Sequence, residues 1–145
     1  MKLTLIITTY NWPQSLLLVL NSIQCQTILP DEVIIADDGS TKETFSLISN
    51  FNKKFNLNII HSWQEDIGFR AARSRNKAIN ASSGEYIVLI DGDSILHPNF
   101  IEDHIKSSEF GYFIQGSRVL LSRKESMKAL KEKNIVFPFF LSNLK

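Results

Sequence analysis

The sequence YIVLIDGD at residues 86–93 decides the expected fold. A short apolar run of the length typical of a buried strand leads directly into Asp91 and Asp93, which Gly92 separates. Two carboxylates this close repel each other unless a cation or a proton lies between them. Mg²⁺ and Mn²⁺ take oxygen ligands and commonly share carboxylates with substrate phosphates. The stretch therefore predicts a strand that ends in a metal and phosphate site, although Asp-Gly is also a turn signal.

Strand and helix patterns alternate on both sides of this stretch. Apolar runs predict strands over residues 3–8, 33–36, 57–61 and 86–90, with 113–121 as a further candidate. Helical spacing of apolar residues predicts helices over residues 15–24, 41–51, 69–80 and 125–133. This alternation predicts an α/β fold with a mostly parallel, doubly wound sheet. The length of 145 residues suits a single domain over the whole chain.

Composition and charge exclude several classes of protein. The formal net charge is +1 and no basic run occurs, which excludes nucleic acid as the main partner because phosphate backbones are bound by clustered Lys and Arg. No stretch approaches the roughly 18 apolar residues of a membrane span, and the apolar run after Met1 is too short for a signal peptide. We therefore expect a cytoplasmic chain. Cys25 lies in an apolar helical pattern and is expected to be a small core residue.

Polar side chains follow each of the first four predicted strands. They are Thr8, Tyr10 and Asn11 after the first strand, Asp37 and Asp38 after the second, Gln64, Glu65, Asp66 and Arg70 after the third, and Asp91 and Asp93 after the fourth. In doubly wound sheets, ligands bind beyond the carboxyl ends of the strands. We therefore expect these four groups to meet at one edge of the sheet and to form a single site.

Each group has a chemical task and a plainer structural explanation. Asp38 would accept hydrogen bonds from a base or a ribose, but Asp-Asp-Gly-Ser is also typical of a turn and a helix cap. Tyr10 would stack on a nucleobase or simply pack. Arg70 would reach a base carbonyl or a phosphate oxygen, or remain solvated. No dinucleotide glycine loop and no P-loop motif occurs, so a metal would have to bind the phosphates.

These motifs, in this order, resemble the family-two glycosyltransferases of the GT-A fold. The similar pieces are IITTYN at residues 6–11, IADDGS at 35–40, WQEDIGFRAARSRN at 63–76 and DGD at 91–93. They are most similar to the branch that contains chondroitin- and hyaluronan-type polymerases and related bacterial surface-polysaccharide transferases. The resemblance covers the chain from about Lys2 to about Asn99 and implies a Rossmann-like nucleotide-diphospho-sugar transferase fold.

The resemblance also implies a reaction. It would be the metal-dependent, inverting transfer of a sugar from a nucleotide-diphosphate sugar, commonly a UDP-sugar, to a glycan acceptor in polysaccharide synthesis. The cofactor would be Mn²⁺ or Mg²⁺. The candidate donor-nucleotide residues are Thr8, Tyr10, Asn11, Asp38, Asp66, Arg70 and Asp91, and the candidate metal ligands are Asp93 and Asp91.

The sequence departs from that family after the Asp-x-Asp pair. The catalytic base and the acceptor-binding residues of the family lie well beyond it. Glu125 and Glu132 lie among lysines, a pattern typical of a solvated face, so we assign no catalytic base. We expect a donor-binding half that lacks the acceptor part. The apolar residues 136–141 would then be the cut edge of a larger domain, a partner-facing patch or a peripheral contact with the inner face of the membrane.

Two alternatives stay open. A phosphatase of the haloacid-dehalogenase type also places Asp-x-Asp after an apolar strand, with the first Asp as nucleophile, but it leaves Thr8, Asp38 and Arg70 without roles. A non-catalytic nucleotide-sugar-binding module, or a truncated subunit, would explain the missing base.

Overall fold

The computed structural model, which describes residues 1–55 and 57–137, contains a four-stranded parallel sheet. The strands are β1 Leu3–Thr9, β2 Glu32–Asp37, β3 Ile59–Trp63 and β4 Tyr86–Asp91. The helices are α1 Pro13–Gln24, α2 Lys42–Phe55, α3 Ala71–Ala81, α4 Phe100–Ser107 and α5 Arg123–Glu132. The predicted α/β fold with a parallel sheet is confirmed.

The strand order β3-β2-β1-β4 places β1 in the interior of the sheet. Every residue of β2 is buried, and all of β1 is buried except the half-buried Thr8, which explains why these strands read as continuous apolar runs. In the register of the sheet, Thr8 lies opposite Ala36 on one side and Asp91 on the other. The carboxyl ends of β1, β2 and β4 are therefore level, and the residues that follow them become neighbours.

The chain divides into two compact units, and the whole sheet belongs to the first. This unit comprises Met1–Leu16 and Pro30–Gly92. One of its buried clusters is formed by Ile6, Ile34, Ala36 and Ala78, with Ile87 packed against it. Ala78 is the member contributed by α3, so this cluster holds α3 on the sheet.

The amino-terminal edge of the sheet is held by the buried carboxylate of Glu32. Thr4 Oγ1 donates a hydrogen bond to it at 2.8 Å, and Ser83 donates from its backbone amide at 3.1 Å and from its hydroxyl at 2.7 Å. Burial raises the pKa of Glu32, but the hydrogen bonds from Ser83 and Thr4 and the charge of Lys2 outweigh burial and lower it. This network braces the edge opposite the predicted site.

The second unit comprises Leu17–Leu29 and Asp93–Lys145. Its buried cluster is formed by Leu18, Ala129 and Phe137, with Ile95, Leu121, Leu130 and Ile135 packed against it. A capping box between Ser122 and Glu125 starts α5. A single domain over residues 1–145 stays a prediction.

Two sequence-based predictions about single elements are wrong. Residues 113–121 form no strand, because most of their apolar side chains are exposed, as in Phe113 at 87%, and no neighbouring strand in the described ranges pairs with them. Cys25 is exposed rather than part of the core, because α1 ends one residue before it. The helix α4 was not predicted, since Ile101 is its one fully buried apolar residue and gives no periodic signal.

The apolar residues near the end of the chain are described only in part. Val136 is exposed, whereas Phe137 is buried in the second unit. The rest of the predicted contact segment, residues 138–141, lies outside the described residues. Among the residues that the structure describes, none of the helices has both the length and the apolar character to cross a membrane.

Candidate functional site

A cleft of about 270 Å³ opens at the carboxyl edge of the sheet, within the first unit. It is lined by Thr8, Thr9, Tyr10, Ala36, Asp38, Phe69, Ala71, Arg75 and Asp91. Small-molecule pockets usually measure roughly 300–1,000 Å³, so the cleft suits part of a ligand better than a whole nucleotide sugar. Four of the predicted donor-site residues therefore come together here, namely Thr8, Tyr10, Asp38 and Asp91.

The carboxylate of Asp91 is one of the charged groups of the cleft. Thr8 Oγ1 donates a hydrogen bond to Asp91 Oδ1 at 3.1 Å, and Arg75 Nη2 donates to the same oxygen at 3.1 Å. The contact between Thr8 and Asp91 is a direct result of the sheet register, which places these two residues opposite each other. The Asp91 side chain is 48% exposed and that of Arg75 is 40% exposed, so a ligand in the cleft can reach both.

Asp38 lines the cleft and also fixes the loop between β3 and α3 by hydrogen bonds. Its side chain is buried, and Oδ1 accepts a hydrogen bond from Gln64 Nε2 at 2.5 Å while Oδ2 accepts one from the Arg70 backbone amide at 2.7 Å. Arg70 precedes α3 and has no side-chain cap of its own. The negative charge of Asp38 therefore acts as a remote cap at the start of α3.

The loop after β2 is held by Asp37 and His61. Asp37 is fully buried; its Oδ2 lies 2.7 Å from His61 Nε2, and its Oδ1 accepts a hydrogen bond from the Ser40 amide at 2.8 Å. Burial raises the pKa of Asp37, but the hydrogen bonds from His61 and Ser40 outweigh burial and lower it. Asp37 is thus a structural carboxylate beside the site, and it is not among the residues that line the cleft.

Asn11 contacts the same loop rather than the cleft. Its backbone amide donates to Ser40 Oγ at 2.9 Å, and its side-chain oxygen accepts from the Thr41 amide at 2.9 Å. Its φ of 46° is a left-handed conformation, which asparagine tolerates better than most residues. Trp63 Nε1 adds a third bond to the loop, to the Ser40 carbonyl at 3.1 Å. The predicted nucleotide contact of Asn11 is not part of this cleft.

The loop between β3 and α3 carries Asp66 and Arg70, and neither lines the cleft. The Tyr10 hydroxyl donates to Asp66 Oδ2 at 3.0 Å, which links Asp66 to the cleft wall. Arg70 Nη2 donates to the Glu65 carbonyl, and its buried Nε has no hydrogen-bond partner among the described residues. These two predicted contacts with the donor therefore stay predictions.

Several lining residues were missed by sequence reasoning, above all Arg75 and Phe69. Ala71, Arg75 and Ala78 recur at spacings of four and three residues and so share one face of α3. That periodicity, read from the buried Ala78, would have pointed Arg75 toward the sheet. Phe69 carries no such signal, because it lies in the loop before the helix and outside its periodic pattern. Its side chain is 95% exposed.

Asp93 lies in the turn after β4, is exposed, and begins the second unit. Within residues 1–55 and 57–137, no group of three or more His, Cys, Asp or Glu side chains is placed to hold an ion. A protein-enclosed cation site is therefore not found in this part of the chain. The oxygen chemistry of Asp91 suits a Mg²⁺-like cation that takes one or two carboxylates and completes its coordination with substrate phosphate and water.

The chain belongs to glycosyl transferase family 2, whose family model matches residues 4–143. It is 31% identical to hyaluronan synthase of Pasteurella multocida over 104 residues, which is 71% of this chain and 10% of that protein. These matches confirm the predicted family.

Solved glycosyltransferases share the fold. The structure of Staphylococcus aureus TarS 1–349 in complex with UDP has a TM-score of 0.60 and 28% identity, covering 73% of this chain and 31% of that one. The mannosyltransferase PcManGT from Pyrobaculum calidifontis, in complex with GDP-Man and Mn²⁺, has a TM-score of 0.58 and 26% identity, covering 65% and 28%. The predicted GT-A fold is confirmed. The chain spans less than a third of the length of each of these three proteins.

Proposed function

We propose that this chain is the donor-binding half of an inverting glycosyltransferase that uses a UDP-sugar and builds a polysaccharide or surface glycan. The observation that carries the proposal is that Thr8, Asp38 and Asp91, which lie at the carboxyl ends of three different strands, line one cleft. Family membership supports it, as does the similarity to a TarS structure that contains UDP.

The residues that line the cleft offer both kinds of surface that a nucleoside diphosphate needs. Tyr10 and Phe69 offer aromatic surface against which a flat base would lie. Asp38 retains acceptor capacity for a base or ribose donor, because each carboxylate oxygen has two lone-pair sites and the structure gives each one hydrogen bond. The diphosphate would lie beside Arg75 and Asp91.

Asp91 and Asp93 would each offer a carboxylate oxygen to Mn²⁺ or Mg²⁺. The bound cation would supply Lewis-acid neutralisation of the charge that develops on the departing diphosphate. The hydrogen bond from Thr8 keeps the Asp91 carboxylate oriented for this role.

Inversion would be a single displacement in which a carboxylate base removes the proton of the acceptor hydroxyl. We assign that base to no residue. The alternative of a non-catalytic nucleotide-sugar-binding module therefore stays open, whereas the phosphatase alternative is dropped because the chain belongs to glycosyl transferase family 2. A cytoplasmic location is part of the proposal, and fractionation of cells that express the chain would test it.

Titration calorimetry of the chain with UDP, with and without Mn²⁺, tests the donor site. We expect binding that depends on Mn²⁺ and that Asp93→Ala abolishes. Asp103→Ala is the matched control, because Asp103 is an exposed carboxylate in α4 and should leave binding unchanged. UDP binding that ignores Mn²⁺, or that survives Asp93→Ala, would refute the metal assignment, and absence of UDP binding would refute the donor site.

A second measurement separates the enzyme from the binding module. The chain is incubated with UDP-sugars and Mn²⁺, and release of UDP is followed with and without oligosaccharide acceptors. Transfer or hydrolysis supports an enzyme, whereas binding without UDP release supports a module that needs further chain or a partner for catalysis. GDP in place of UDP measures how strongly the cleft selects the base.

A further inference from the structure

Arg75 is the cation of the cleft. Among the described residues that line it, Asp38 and Asp91 are anionic and Arg75 alone is cationic. The guanidinium reaches the cleft because Arg75 lies one turn after Ala71 on the same face of α3, and Ala71 also lines the cleft. A cationic group in the cleft offers a partner for the anionic diphosphate of the proposed donor.

The ion pair of Arg75 with Asp91 has little structural value of its own. Both side chains are between one third and one half exposed, and ion pairs in such surroundings add little to stability because water and salt screen them. The Asp91 oxygen that Arg75 contacts also accepts the hydrogen bond from Thr8. A cation that approached this oxygen would therefore meet the guanidinium already in place.

We propose that Arg75 exchanges partners when the donor binds: it pairs with Asp91 in the free protein and moves to the diphosphate once a divalent cation takes Asp91. The proposal rests on the proposed function for the identity of the ligand. The exchange keeps every charge paired, because the cation replaces the guanidinium at the carboxylate while the guanidinium neutralises phosphate oxygens. The planar fork of arginine suits phosphate oxygens in a bidentate geometry that lysine cannot reproduce.

The exchange predicts opposite effects on two affinities. Removing the guanidinium removes a competitor for Asp91, so the free chain should bind the cation more tightly. The same change removes a donor to the diphosphate, so UDP should bind more weakly when the cation is saturating. An ion pair that serves only to hold α3 would not separate the two affinities in this way.

The test measures by calorimetry the affinity for Mn²⁺ alone, and then the affinity for UDP at saturating Mn²⁺. Both are measured on the wild-type chain, on Arg75→Gln and on Arg75→Lys. Arg75→Gln should raise the affinity for Mn²⁺ severalfold and lower that for UDP by about tenfold or more, as expected for loss of a charge-assisted hydrogen bond. Arg75→Lys should recover part of the UDP affinity. Arg73→Gln is the control, because Arg73 is exposed on the same helix, outside the cleft, and its change alters the net charge equally.

Three results would overturn the exchange. They are a fall of both affinities in Arg75→Gln, effects no larger than those of Arg73→Gln, and full UDP affinity without the guanidinium. If the wild-type chain binds no UDP at all, the proposed function fails together with the exchange. If the wild type binds UDP with Mn²⁺ and the two glutamine variants behave alike, only the exchange fails.

Discussion

The backbone amide of Arg70 donates a hydrogen bond to the Asp38 carboxylate at 2.7 Å, between residues 32 positions apart in sequence. Arg70 precedes α3, so this bond ties the start of the helix that carries Arg75 to the end of β2. The geometry of the cleft therefore depends on a carboxylate whose two oxygens are already engaged within the chain.

Asp38→Asn should destabilise the chain. An amide has one acceptor oxygen, so its NH₂ group would face a donor, either Gln64 Nε2 or the Arg70 amide. We expect the free energy of unfolding to fall by about 1–3 kcal/mol, measured by urea denaturation at neutral pH. Glu65→Gln, in the loop between β3 and α3 and exposed, should change it little. Equal effects of the two changes would mean that the Asp38 carboxylate does not stabilise the loop between β3 and α3.

Asp37 should make stability depend on pH in the acid range. Its pKa is lowered from the ordinary 3.8 in the folded chain, because hydrogen bonds from His61 and Ser40 outweigh burial. The stabilisation is therefore complete above the ordinary pKa and is lost as the pH falls through the folded pKa. We expect Asp37→Asn to be less stable than the wild type at neutral pH, with a smaller further loss below about pH 4. Denaturation curves recorded between neutral pH and about pH 3 give the free energy of unfolding of both proteins. If Asp37 contributed nothing to the pH dependence, the two plots of this free energy against pH would run parallel.

Gly39→Ala should be costly for two separable reasons. Gly39 has a φ of 104°, and a Cβ at this position would lie 2.6 Å from Asp66 Cα. Gly68 has a φ of 74° with open space around it, so Gly68→Ala measures the backbone cost alone, about 1–2 kcal/mol. Gly116→Ala, which has neither constraint, should be close to neutral. If Gly39→Ala and Gly68→Ala lowered the free energy of unfolding equally, the close approach to Asp66 would carry no cost.

Glu32→Gln should weaken the fold without altering the cleft. The amide would place a donor against Thr4 or Ser83, which both donate to the carboxylate, and we expect a loss of about 1–3 kcal/mol in the free energy of unfolding. Because Glu32 lies at the amino-terminal edge of the sheet, the affinity of the folded variant for UDP with Mn²⁺ should match that of the wild type. A large change in that affinity would show that the two edges are coupled.

Much of the sheet could be predicted from the sequence, because buried parallel strands read as apolar runs that end in polar residues. Thr8, Asp38 and Asp91 each follow such a run, and the parallel register brings them together. The strand predicted over residues 113–121 does not form. An apolar run indicates β propensity, but a strand also needs a partner strand.

The roles of individual side chains were harder to predict, because hydrogen-bond partners distant in sequence decide them. Asn11 and Asp37 have the residue types of a binding site, yet their polar atoms contact the loop that contains Ser40. Arg75 lies in the stretch 63–76 that carries the family resemblance, but its place in the cleft is identified by the face of α3 on which it lies. Which carboxylate supports the fold and which faces a ligand depends on these contacts, and the sequence does not encode them locally.

The interior position of β1 also sets the order in which the site can form during synthesis. β1 is made before the other three strands of this sheet, yet it pairs with β4 on one side, and its Thr8 contacts Asp91 across 83 positions. Until the ribosome has released β4, β1 has one open edge and the cleft lacks Asp91. Ligand binding by a nascent chain would therefore begin late and abruptly, and the waiting β1 would be the segment that most needs protection from aggregation.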